Sequence, residues 1–177
     1  MRYWGVKKII YSSTAGVYKS QDKILSETDP VEPMNNPYAG SKYSAELAIK
    51  HSGISHVIFR YFNLAGADTE NEMGECHNPE THLIPRILQN LNNFTIYGKD
   101  YNTPDGTCIR DYVHVEDVAN AHLLAANYLE SGGKSETFNL GTGVGYSIKE
   151  IIALVQETTG EKVTFQFGDK RPGDPAM

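Results

Sequence analysis

Tyr38 and Lys42 stand four residues apart in Tyr38-Ala39-Gly40-Ser41-Lys42. On a helix that interval puts both side chains on one face, with Cβ atoms about 5–6 Å apart. A tyrosine hydroxyl titrates near about 10 in water and is a poor base at neutral pH. A lysine ammonium one turn away favours the phenolate and draws it toward the working range. Such a pair can take a proton from an alcohol and give it back. The same spacing also occurs on plain solvated helices, so the surrounding elements must decide. Upstream, the β-rich run Val6 to Tyr11 ends in Ser12-Ser13-Thr14. That places hydroxyls at the carboxyl end of an expected parallel strand, where ligands of open α/β sheets bind.

The rest of the pattern alternates strands with helices, which means α/β. Asn36-Pro37 reads as N-cap and first helical residue of a helix running to about His51. His56 to Phe62 is a continuous apolar and aromatic run, the pattern of a strand covered on both faces. The polar stretch Asn63 to Thr81 is too long for an ordinary connection and reads as a functional loop. Leu83 to Leu91 has helical spacing, Phe94 to Tyr97 and Ile109 to Val115 are extended, and Val118, Ala121, Ala125 and Leu129 line one helix face stopped by Gly132-Gly133. Thr137 to Leu140 and Val163 to Phe167 read as strands, and Ser147 to Glu150 is a capping box for a helix stopped by Gly160.

Composition excludes several classes. The 177 residues carry a net charge of −6 with no basic block, which argues against a nucleic-acid partner. No apolar run of membrane-spanning length occurs, and Arg2 to Lys8 lacks a signal-peptide core. Two cysteines, Cys76 and Cys108, make no disulfide framework and suit a reducing cytoplasm.

The hydroxyl-bearing strand end, loop and Tyr-x-x-x-Lys helix together resemble the extended short-chain dehydrogenase/reductase superfamily. Arg60-Tyr61-Phe62-Asn63, Gly106-Thr107-Cys108-Ile109-Arg110-Asp111-Tyr112-Val113-His114-Val115, Asn139-Leu140-Gly141 and Arg171-Pro172-Gly173-Asp174 resemble its UDP-glucose 4-epimerase family, over nearly the whole chain. The resemblance implies an incomplete Rossmann-like parallel sheet with a smaller C-terminal α/β substrate-binding lobe. Residues 1–63 would be a remnant of the NAD-binding domain; residues 64–177 would be mostly the lobe, with some segments returning.

The same resemblance implies NAD as cofactor and a UDP-sugar as substrate, with UDP-glucose and UDP-galactose interconverted at C4. Tyr38 matches the base, Lys42 its cationic neighbour, and Thr14 the hydroxyl that orients O4, with Ser13 as the fallback. Ser13, Thr14, Tyr38, Lys42 and Phe62 match the nicotinamide surroundings. Arg110 and Arg171 match diphosphate-facing arginines, and Asp174 a ribose-hydroxyl acceptor. Asn63, His82, Leu83, Ile96 and Tyr97 match positions around the sugar, diphosphate and uracil. Lys19 departs from the family, where Gly is usual after the Val-Tyr pair. The intact enzyme would be a cytoplasmic homodimer.

Nothing before Val6 can form the Gly-rich strand-turn-helix that cradles a dinucleotide pyrophosphate. The resemblance thus implies that the chain starts in the helix ahead of the hydroxyl strand, as a truncated form inactive by itself. Gly141-Thr142-Gly143-Val144-Gly145 is not the missing turn, because no acidic strand end follows about 20 residues later. Cys76-His77 with His82 falls short of a four-ligand zinc pattern, so no metal is expected. Met73, Tyr112 and Tyr128 read as packing residues and Glu70 to Glu75 as solvated loop. Nucleotide-sugar dehydratases need an acidic pair after the Thr, where Ala15-Gly16 stand here. A uronate or N-acetylhexosamine 4-epimerase, and a non-catalytic remnant, are the other readings.

Overall fold

Ser-His-Val-Ile-Phe-Arg-Tyr at Ser55–Tyr61 (β2) buries five consecutive side chains, so both faces of this strand must be covered. It is the middle strand of a parallel sheet, flanked by Lys8–Thr14 (β1) and Glu136–Leu140 (β6). The register pairs Thr14 with Tyr61 and Tyr61 with Leu140, so the three carboxyl ends finish level. The computed structural model describes residues 5–21, 23–33, 36–70 and 73–177. Met1–Trp4, expected to close a helix ahead of the first strand, and Asn71–Glu72 of the acidic loop lie outside them.

Alternation along the strands sends side chains to opposite faces. On one face Val57 and Phe59 form a core with Ala125 and Leu129 of the helix Val115–Glu130 (α3), and Ile10, Tyr61, Ala121 and Leu140 pack around it. Against the other face lies Pro37–Lys50 (α1), which buries Ala39, Glu46 and Ile49. Its start is as expected: Asn36 Oδ1 accepts the amides of Tyr38 (2.9 Å) and Ala39 (3.3 Å), and Pro37 opens the first turn.

The chain divides into two compact units. One comprises the described residues up to Leu64 with Val113–Thr142, and the other Ala65–Tyr112 with Gly143–Met177. In the second unit, Phe94–Tyr97 (β4) pairs in parallel with Phe165–Gly168 (β8). Leu83–Gln89 (α2) and Ile148–Thr159 (α4) supply Ile87, Ile151, Ile152 and Val155 to a core with Phe94, Ile96 and Val163. The capping box at Ser147 and Glu150 is complete, and Gly160 ends α4 in the left-handed region at φ 73°. Ile109–His114 (β5) runs antiparallel to Gly145–Ser147 (β7).

Asn63–Ala65 (β3), β7 and a single 3-10 turn over Ala15–Val17 were not foreseen. All are three residues long, too short for a periodic signal. Tyr112 does pack against the second core. Met73 is 64 % exposed, and the partly exposed Tyr128 ring lies against Gly133. No described helix is long and apolar enough to cross a membrane.

Candidate active site

The three hydroxyls at the end of β1 have three different fates. Ser12 Oγ accepts from the Tyr61 hydroxyl at 2.8 Å. Ser13 is buried and donates to Glu46 Oε1 at 2.5 Å. Thr14 Oγ1 accepts the Gly16 amide at 3.1 Å, which leaves its own O–H proton for an incoming oxygen. Alternation turns the hydroxyl of Ser13, the fallback for Thr14, into the interface with α1, where a carboxylate holds it.

Lys42 reaches from α1 to the same strand end. Its Nζ donates to the Ser12 carbonyl oxygen at 3.0 Å and lies 5.5 Å from the Tyr11 ring centre and 5.7 Å from that of Tyr38. The Tyr38 ring is more than half exposed, as an acid-base group meeting a ligand must be. Phe62 and Asn63 follow β2, both half-buried, and the Phe62 amide donates to the Leu140 oxygen at 3.0 Å.

Beneath these residues lies an ionic network that sequence reasoning missed. Arg60 donates from Nε (3.1 Å) and Nη2 (2.7 Å) to the two oxygens of Glu46, whose side chain is wholly buried. Burial opposes the Glu46 charge, but the hydrogen bonds from Arg60 and Ser13 win and hold its carboxyl below the usual range. Arg60 also lies over the Tyr18 ring at 4.7 Å, and Tyr18 donates to Asn139 Oδ1 at 2.7 Å. Glu46 sits one turn past Lys42, so its three bonds fix the register of α1 on β1 and β2.

The second unit gathers the other candidates. Arg171 lies 4.1 Å over the Tyr97 ring and Arg86 lies 5.9 Å from it, and hydrogen bonds from Arg86 and then Arg171 hold the Tyr97 phenol below its ordinary value. Arg86, on α2, carried no motif signal, and only the packing of α2 against β4 brings it here. Arg110 Nη2 is 3.5 Å from Asp174 Oδ1, and its Nη1 donates to the Ile109 oxygen. Guanidinium forks gathered in this way suit the oxygens of a phosphate. Leu83 is half-buried against the second core. Ile96 is completely buried there: β4 alternation points its side chain inward while Tyr97 points out. His82 is exposed and precedes α2 without capping it.

The chain resembles proteins of known class. The profile of the NAD dependent epimerase/dehydratase family matches residues 1–141. The chain belongs to that family. It is 47 % identical over 184 residues to a UDP-glucose 4-epimerase of Streptococcus mutans, covering 99 % of this chain and 55 % of that protein. The crystal structure of a Brucella ovis UDP-glucose 4-epimerase in complex with NAD matches with a TM-score of 0.90 at 42 % identity, over 99 % of this chain and 56 % of that one. A Bifidobacterium longum UDP-glucose 4-epimerase in complex with NAD+ and UDP matches with a TM-score of 0.84 at 34 % identity, over 99 % and 55 % of the two chains. The chain thus spans about half the length of the curated relatives it matches.

Within Gly141 to Gly145, two glycines are engaged in local structure. The Gly143 amide donates to Asp111 Oδ2 at 2.7 Å, and Gly145 pairs with Asp111 in the β5–β7 ladder. The run leads into an antiparallel strand, not directly into a helix N-terminus.

Proposed function

We propose that this chain carries the acid-base residues and the sugar-nucleotide grip of a UDP-glucose 4-epimerase. One observation carries the reading: Lys42, pinned to the Ser12 carbonyl, stands beside Tyr38 at the level end of β1, next to the unspent Thr14 hydroxyl. The relatives named above supply the substrate class.

The residues suit the nicotinamide end of NAD, since an exposed phenol, an ammonium and a hydroxyl converge at the carboxyl end of a parallel strand. Thr14, Tyr38, Lys42 and Phe62 would line that end. Bound there, NAD would supply reversible hydride acceptance at C4, with no net redox change over the reaction. Tyr38 as phenolate takes the O4 proton and later gives it back. Thr14 donates to O4 and orients it. Lys42 stabilises the phenolate by its charge. Arg86, Arg171 and Arg110 hold the diphosphate, and Asp174 accepts from a ribose hydroxyl.

Dehydration is disfavoured by the turn after Thr14. Ala15 and Gly16 form the 3-10 turn there and offer no group that can move a proton. The test joins this chain to the part of the Streptococcus mutans relative that it does not span and follows UDP-galactose conversion with a coupled dehydrogenase. Tyr38→Phe should lower turnover by at least ~100-fold, the lower range for loss of a general base. Near-normal turnover in that variant would overturn the reading.

A further inference from the structure

We propose that Glu75, His77, Glu80 and His82 form a four-ligand site for a divalent transition-metal ion of the zinc type, which clips the loop leading into α2. The proposal takes His82 out of the substrate-contact set that the family resemblance implies and otherwise does not depend on the epimerase reading.

Each residue offers one ligand atom, and these atoms all lie within 4.8 Å of one another. His77 Nδ1 is 3.1 Å from Glu75 Oε1 and 3.6 Å from Glu80 Oε2, and His82 Nδ1 is 3.4 Å from Glu80 Oε1. His82 Nδ1 also touches Glu75 Oε1 directly. Four ligands about 2.0–2.1 Å from a tetrahedral zinc ion stand about 3.3–3.4 Å from each other, near the two His77 separations, and the remaining ligand atoms lie within 4.8 Å. The two imidazole rings, 5.0 Å apart and edge to face, turn their Nδ1 atoms to the same carboxylates.

Glu80 supplies an independent sign. Its side chain is 3 % exposed, yet one of its oxygens has no hydrogen-bond partner among the described residues. Oε1 is held by the amides of Thr81 (2.7 Å) and His82 (2.8 Å), which fixes the carboxylate and leaves Oε2 aimed at His77. A buried carboxylate oxygen without a donor is costly, and a cation is the partner that satisfies it.

The ligand set selects the ion. Two imidazoles favour zinc and its neighbours over calcium or magnesium, which take all-oxygen shells. Two carboxylates with two neutral imidazoles balance a divalent charge. A closed set of four protein ligands is the structural type. All four lie within eight residues, Glu75 to His82, in a stretch with no described helix or strand between Ala65 and Leu83. The cysteines are not part of it: Cys76 points to solvent and Cys108 is buried elsewhere. A search for cysteine-and-histidine spacing therefore misses the site, because half of its ligands are carboxylates.

The test uses the purified 177-residue chain, stripped with chelator and reloaded with Zn2+ or Co2+. One zinc per chain should survive dialysis. The Co2+ form should show the visible bands of a tetrahedral nitrogen–oxygen site without a thiolate charge-transfer band. Competition with a chromophoric chelator should find zinc bound at least ~100-fold more weakly by Glu80→Gln and by His77→Ala, at or above the loss for second-shell partners, and unchanged in Cys76→Ser. Circular dichroism checks that each variant folds, and the Co2+ spectrum of the unaltered chain stands without any variant. Absence of stoichiometric zinc, an octahedral or thiolate-type Co2+ spectrum, or equal affinity in folded Glu80→Gln would each overturn the site and leave an ion-pair cluster only.

Discussion

The Glu46–Arg60 pair should be the most sensitive point in the first unit. Glu46 has no exposed side-chain surface and Arg60 only 4 %. Glu46→Gln removes the negative charge while keeping the shape, so the guanidinium stays buried with nothing to balance it. Its Nη1 already has no hydrogen-bond partner, and the nearby Lys50, 3.5 Å from Glu46, only adds positive charge. Breaking one side of a buried pair costs about 3–5 kcal/mol, a large share of the ~5–15 kcal/mol that holds a domain together. The assay is urea unfolding of the 177-residue chain followed by far-ultraviolet circular dichroism, for Glu46→Gln, Arg60→Met and the double variant Glu46→Leu/Arg60→Met. The double variant, with no buried charge, should recover to within about 2 kcal/mol of the native chain. Because the folded Glu46 carboxyl is depressed, its contribution is complete above the ordinary value of 4.5 and fades as pH falls through the lower folded value. That acid loss should be missing from the double variant. A loss below about 1 kcal/mol in Glu46→Gln, or a double variant no better than the singles, would refute the claim that this pair locks α1 to the sheet.

Three further outcomes follow from the same structure. In the joined epimerase, Lys42→Met should lower turnover in the coupled assay, because the side chain that joins the Ser12 carbonyl to the Tyr38 ring is lost. Mass spectrometry of the products should show UDP-glucose and UDP-galactose and no 4-keto-6-deoxy sugar, since Ala15 and Gly16 carry no acid or base. Gly106→Ala should cost clearly more in thermal unfolding than Gly160→Ala. Both glycines have positive φ (78° and 73°), worth about 1–2 kcal/mol for a side chain, but at Gly106 a Cβ would also fall 2.3 Å from the Lys99 oxygen, whereas at Gly160 it meets nothing.

Local chemistry was legible in the residues themselves. Asn36-Pro37, the capping box at Ser147 and the stop at Gly160 are short-range signals: each is satisfied by backbone groups a few residues away, whatever the rest of the chain does. The five-residue buried run of β2 and the Tyr38–Lys42 interval belong to the same class. What the sequence could not say is which way neighbouring groups turn once elements meet. Ser12, Ser13 and Thr14 are near-identical as residue types, and only the pairing of β1 with β2 and the packing of α1 commit one to Tyr61, one to Glu46 and leave the third free. Tyr97 and Ile96 were assigned together, and the pleat of β4 separates them, one toward two arginines and one into the core. Arg60 and Glu46 are charges a sequence reader places at the surface, and they are buried because each finds the other across fourteen residues of chain. His77 reads only as part of a Cys76-His77-His82 set too small for zinc, and Glu80 carries no signal, for the same reason: a carboxylate's partners are set by distance in space, and that distance exists only after the chain has folded.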